Sequence, residues 1–220
     1  MAAAIVFYIS GHGFGHASRQ IEVLNALGPR LPAEVDLVVR TSAARWLFDR
    51  TLRTRVRFLP GECDTGIAQI DALHLDHAAT ASAAAHFYST FTRRTDAEAA
   101  LLREHDATVV IADAPPLACA AAAAAGVPSI VMGNFTWDWI YEEYAEEFDA
   151  AAAHVLPLIR QAYAAAREGW RLPMHGGFEP VNPPAANITS PPAATANAAR
   201  GFSMPGMIAH PSVTDPAAGR

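Results

Sequence analysis

The chain has 220 residues, 51% hydrophobic and 17% charged, enough apolar material for one good core or one core with a tail. A net charge of −6 excludes the broad basic face that wholesale nucleic-acid binding needs. All 16 basic residues are Arg, which excludes a Schiff-base lysine, a phosphate-loop lysine and a kinase strand lysine.

Residues 4–10 (AIVFYIS) are β-branched and aromatic, lack the basic start of a signal peptide, and read as a strand. A glycine-rich loop follows. Ala17 to Leu27 then has helical spacing through Ile21, Leu24 and Leu27. Residues 34–40 and 54–60 read as further strands, with a short helix over 45–52 between them. The Ala-rich stretch 78–104 is helical, and the capping-box pattern Thr95–Glu98 predicts that a new helix starts there. Residues 108–113 (TVVIAD) read as a buried strand. A helix over 116–125 stopped by Gly126 comes next, then a strand over 128–134.

This alternation predicts a doubly wound α/β domain with a parallel, Rossmann-like sheet over residues 1–180. Eight of the 16 prolines fall in 180–220, where no apolar period survives, so 181–220 reads as a Pro/Ala-rich disordered tail. Cys63 and Cys119 are too few and too far apart for a disulfide scaffold and read as buried thiols in a reducing compartment. No run approaches the ~18 apolar residues of a membrane span, so the expected location is cytoplasmic, or at most peripheral to a membrane.

Three stretches bear chemistry. The first is Gly11-His12-Gly13-Phe14-Gly15-His16, between the first strand and first helix, where an open α/β sheet binds ligands. It is not a dinucleotide fingerprint, because His16 stands where the third glycine belongs and strand 2 ends in Arg40 rather than an acid. The second is Asp113, ending a strand at the same rim. It either orients His16 across 97 residues of chain or caps the helix that starts near Pro115. The third is Asn134 to Tyr141 (NFTWDWIY), which reads as a sugar platform of aromatic faces and polar groups. The alternative is that Trp139 and Ile140 are core and only the polar residues function. Glu142, Glu143, Glu146 and Glu147 read as a solvated helix face. His74 and His77 lack a third metal ligand, so neither a metal nor a cofactor is expected.

The segments YISGHGFGHASR (8–19), 111–144 and RLPMHGGFEP (171–180) resemble the N-terminal domain of GT-B-like, MurG-type bacterial glycosyltransferases and the N-terminal region of plant L-arabinokinases, over roughly residues 4–180. The resemblance implies His16 as base on an acceptor hydroxyl and Asp113 as its support. It implies substrate contacts from Gly11, His12, Gly13, Gly15, Arg19, Asn134, Thr136, Trp137 and Asp138. The implied ligands are a nucleotide-sugar donor and a sugar or lipid-linked acceptor. In that family the donor sits on a second, C-terminal domain that this sequence lacks. The expectation is therefore a truncated or split transferase half, inactive alone and needing a donor-domain partner. The alternative is a non-catalytic sugar- or nucleotide-sugar-binding regulatory module. His175-Gly176-Gly177 mimics a donor-half motif but lies in the last ordered loop, and no donor role is expected of it.

Overall fold

The computed structural model describes residues 3–181 and 186–187. The chain divides into two units, Met1–Thr189 and Ser190–Arg220, and every described residue belongs to the first. The expected tail lies almost wholly outside the described residues.

Seven strands form one parallel sheet: β1 (Ala3–Ile9), β2 (Val35–Thr41), β3 (Arg57–Pro60), β4 (Ala107–Asp113), β5 (Ser129–Gly133), β6 (Glu168–Arg171) and β7 (Ala186–Asn187), in the order β3-β2-β1-β4-β5-β6-β7. The chain winds outward from β1 in one direction, returns to β4 beside β1, and winds outward the other way. The expected doubly wound architecture is thus present, with its switch point between β1 and β4.

Helices cover both faces. Side chains of a strand alternate between faces, and β1 divides accordingly. Phe7 and Ile9 join a core with Leu37, Val39, Ile111 and Met132, roofed by α1 (Gly15–Leu27) and α2 (Arg45–Thr51) through Ala17, Ile21, Leu24 and Phe48. Val6 and Tyr8 join a larger core on the opposite face. It is covered by α3 (His77–Tyr88), α4 (Phe91–Glu104), α5 (Pro116–Ala125), α6 (Trp137–Glu142), α7 (Ala145–Ala152) and α8 (Val155–Ala164). The small side chains Ala118, Cys119, Ala121 and Ala122 of α5 are buried, which lets that helix pack closely on the sheet.

Two readings are corrected. No helix starts at Thr95. The break falls at Ser89–Thr90, and Thr95 lies inside α4. Glu98 is not a capping residue. It is buried, accepting from the Tyr8 hydroxyl at 2.9 Å and from Arg40 Nε at 3.1 Å and Nη2 at 2.5 Å, and it ties α4 to β1 and β2. Val181 is buried in the larger core, and Ala186–Asn187 pairs with Trp170–Arg171. Cys63 and Cys119 are both buried free thiols, and burial pushes the Cys119 thiol up to about 12. Among the described residues no helix is long and apolar enough to cross a membrane.

Candidate functional site

In the β1–β4 register Ile9 stands beside Asp113, so the loop after β1 and the acid ending β4 share one rim of the switch point. The Ser10 amide donates to the Asp113 carbonyl at 3.2 Å and locks the two strand ends together. Helix α1 starts at Gly15, which puts His16, Arg19 and Gln20 on the turns facing that rim.

The Asp113 carboxylate is 1% exposed. A buried carboxylate is costly unless donors surround it, and this one has four contacts. His16 Nδ1 lies 2.9 Å from Oδ1, and Arg19 Nη2 donates to Oδ1 at 2.5 Å. Arg19 Nε and Gln20 Nε2 donate to Oδ2 at 3.2 and 2.8 Å. With Arg19 and Gln20 donating to it, the Asp113 carboxylate acts as an acceptor, so His16 donates Nδ1–H to Oδ1. Arg19 Nη2 also lies 3.3 Å from His16 Nδ1, a proximity rather than a second donor to an occupied nitrogen. Nε2 of His16 then carries a free lone pair. Among the described residues it has no protein partner, and it is not sealed from solvent. Arg19 Nη1 reaches Asn134 Oδ1 at 3.1 Å, joining the β5 end to the same network.

Immediately after Asp113 the backbone enters a conformation disfavoured for a residue with a side chain. Ala114 has φ +74, and its carbonyl accepts the Tyr163 hydroxyl from α8.

The loop Gly11–Gly13 borders a cleft of about 300 Å³ whose other walls are Ser42, Glu62, Asp64 and Thr65. Asp64 is absent from the sequence-derived candidates. It is buried at the mouth of the switch point, accepting Ser10 Oγ at 3.1 Å and Trp137 Nε1 at 2.8 Å. Burial pushes its carboxyl up to about 6, against the opposing pull of those two donors. Asp64 follows the carboxyl end of β3 by a few residues, as the first loop follows β1. His12 packs edge-on against Trp137 at 5.7 Å. Burial first, and His16 second, hold the His12 imidazole below the ordinary histidine range.

The Asn134–Tyr141 motif is not an open platform. Thr136, Trp137 and Asp138 are buried, because α6 turns inward directly after β5. Thr136 Oγ1 donates to the Gly177 carbonyl at 3.0 Å, and Trp137 is anchored on Asp64. Asp138 faces away from His16, towards Arg160 Nε at 3.7 Å on α8. Trp139, one of the two residues for which a core role was the alternative, is an exposed residue at 38%. Its indole lies under Gly176 and Gly177, where an added Cβ would come within 2.6 Å of the ring. The His175-Gly176-Gly177 segment is therefore a packing strap, with the Gly176 amide on the Asn134 carbonyl at 2.7 Å. Of the sequence-derived residues, His16, Asp113, Arg19 and Asn134 form one bonded cluster. Gly11, His12 and Gly13 border the cleft beside it, and Gly15 opens α1.

The molecule is thus a doubly wound parallel α/β domain with an imidazole–carboxylate pair at its switch point. Part of it has a counterpart in a plant enzyme. Over 142 residues the chain is 36% identical to L-arabinokinase of Arabidopsis thaliana, a match spanning 63% of this chain and only 13% of that protein. No protein-family model matches. Among solved structures, MurG of Acinetobacter baumannii aligns with a TM-score of 0.46 and 11% identity over 80% of this chain and 43% of its own. A UGT transferase of Siraitia grosvenorii in complex with UDP aligns with a TM-score of 0.46 and 14% identity over 77% and 44%. At such scores the likeness is too loose to transfer any property to this chain.

Proposed function

We propose that this domain is the acceptor-side half of a glycosyltransferase, with His16 as the general base and Asp113 as the group that orients it. The observation that supports this reading is the His16 Nδ1–Asp113 Oδ1 contact of 2.9 Å at the switch point, which leaves Nε2 as an accessible base. In the proposed step an acceptor hydroxyl oxygen bonds the anomeric carbon of the donor sugar as its proton passes to His16 Nε2. The bond from that carbon to the diphosphate breaks, and the diphosphate leaves with the electron pair. Asp113 stabilises the imidazolium, as the carboxylate does in a hydrolase triad.

The nucleotide sugar is held by a second unit in this reading. A departing diphosphate needs preorganised cations or amides, and the arginines nearest the site are engaged: Arg19 with Asp113, Arg40 with Glu98 and Arg94 with Glu62.

The test is a transfer assay with a panel of nucleotide sugars, run on the chain alone and with a donor-binding polypeptide supplied in trans. Turnover is expected only in the combined system. His16→Ala is expected to lower it by about 10²–10⁴-fold, the usual weight of a general base, with the fold intact by circular dichroism. Full activity of the reconstituted His16→Ala complex would overturn the assignment. Saccharide binding without turnover in any combination would leave a binding module instead.

A further inference from the structure

The two histidines of the first loop are held in opposite tautomers. His16 presents Nδ1–H to Asp113. His12 does the reverse: its Nδ1 accepts the Ile67 amide at 3.4 Å, so its ring proton sits on Nε2. Gly66, at φ +62, closes the Nδ1 side of that ring. A Cβ there would lie 2.6 Å from Cβ, Cγ and Nδ1 of His12. Nε2 of His12 has no partner among the described residues and is not sealed from solvent. One edge of the site therefore offers a neutral donor beside the bare base of His16.

The rest of the adjoining cleft is built of acceptors and hydroxyls. Glu62 and Asp64 are carboxylates, and Ser42 and Thr65 add hydroxyl groups. No arginine lines it. The volume of about 300 Å³ is at the lower end for small-molecule clefts. An anion brought here would face the Asp64 carboxylate, the Glu62 carboxylate paired with Arg94, and one neutral donor. A hydroxyl group, which both donates and accepts, matches every one of these walls. Phe14, the residue after the cleft residue Gly13, is 61% exposed and meets Trp46 of α2, which follows the cleft residue Ser42 in the chain and is 51% exposed, edge to face at 5.8 Å. Two exposed aromatic rings beside a polar cleft suit a sugar ring, whose C–H face packs on the negative face of an aromatic while its hydroxyls stay in the polar walls.

We propose that this cleft is a saccharide site: it takes an uncharged polyhydroxylated acceptor through His12 Nε2–H, Asp64 and the Phe14–Trp46 pair, and it rejects acceptors that place a phosphate there. The proposal rests on the transferase reading for the word acceptor, but binding is tested without turnover.

The experiment follows the Trp46 indole N–H resonance, assigned with Trp46→Phe, and the His12 ring resonances of the whole chain. Maltose, cellobiose and methyl galactoside are the neutral probes, and glucose 6-phosphate and inorganic pyrophosphate are the anionic ones. Saturable shifts at both residues are expected with at least one neutral probe. Affinity, followed at His12, should fall about fivefold to tenfold in Trp46→Ala and return in Trp46→Phe, in line with loss of one aromatic contact worth ~1–1.4 kcal/mol. The anionic probes should leave both signals unmoved. Silence of all three neutral probes at tens of millimolar would overturn the proposal, as would equal or tighter binding of either anion. Transfer to a phosphate-bearing acceptor seated at these residues would overturn it while leaving the transferase reading intact. Saccharide binding without transfer would do the opposite.

Discussion

Asp64 and Asp113 lie at the same rim and are both buried, yet their surroundings differ. Asp113 is surrounded by four donor contacts, two of them from a guanidinium, whereas Asp64 has two neutral donors and no cation bonded to it. The consequence is a pH dependence with an unusual sign for an acid. The folded-state value of about 6 lies above the ordinary 3.8, so the folded protein holds this proton more tightly than the unfolded chain. Its contribution to stability is full below about pH 4 and is lost as pH rises through about 6. His12 works in the other direction: held below 6.5, it costs stability as pH falls through its folded value. Asp64→Asn keeps an oxygen for Trp137 and removes the charge. The variant should gain thermal stability relative to the parent at pH 8 and gain little or nothing at pH 4.5. Equal differences in melting temperature at the two pH values would show that Asp64 is not the group responsible. Asp113 was legible in the sequence because an acid closing an apolar strand is conspicuous. Asp64 was not, because it sits in irregular chain a few residues past a short strand, and its burial is decided by Trp137, 73 residues away.

At the level of elements, periodicity found β1, β2, β4, β5 and the helices α1, α2 and α5, where an apolar run or stripe faces a core. It did not find β6, a four-residue strand with the sequence EGWR, or β7, the two-residue strand beside it. Such strands are fixed by pairing with a neighbour rather than by their own pattern. The capping-box reading at Thr95 failed for a related reason. Glu98 is needed by Tyr8 and Arg40, and tertiary bonding of a buried acid outweighs a local cap worth ~1 kcal/mol. The segment between β3 and α3 has little regular structure and depends on single residues. Gly66 there combines a left-handed backbone with contact against the His12 ring. Gly66→Ala should cost about 2–5 kcal/mol, from roughly 1–2 for the backbone and 1–3 for overpacking. It should also displace the His12 resonances. Urea denaturation gives the first quantity, and a loss under about 0.5 kcal/mol, the scatter of ordinary surface substitutions, would contradict the packing described for that segment.

On the scale of the whole molecule, the sheet separates two unequal layers. Among the described residues six helices stand on one face, and α1 and α2 stand on the other, around the smaller core. His16, Arg19 and Gln20 belong to the thin layer, while Asp113 ends a central strand paired on both sides. The bonded cluster is therefore assembled across a boundary between a strongly held part and a weakly held one. Free energies of local opening follow buried apolar contact, so α1 is expected to detach from the sheet more often than β4 breaks. Amides of residues 18–27 should exchange with deuterium faster than those of 109–113 under native conditions, and a bound saccharide bridging His12 and the sheet rim should slow the first set without changing the second. Equal protection of the two segments would remove the distinction. If it holds, the fraction of time His16 is seated on Asp113 is set by how firmly one helix rests on its sheet, so substitutions at the core residues Ile21 or Leu24 would tune the cluster by occupancy rather than by chemistry.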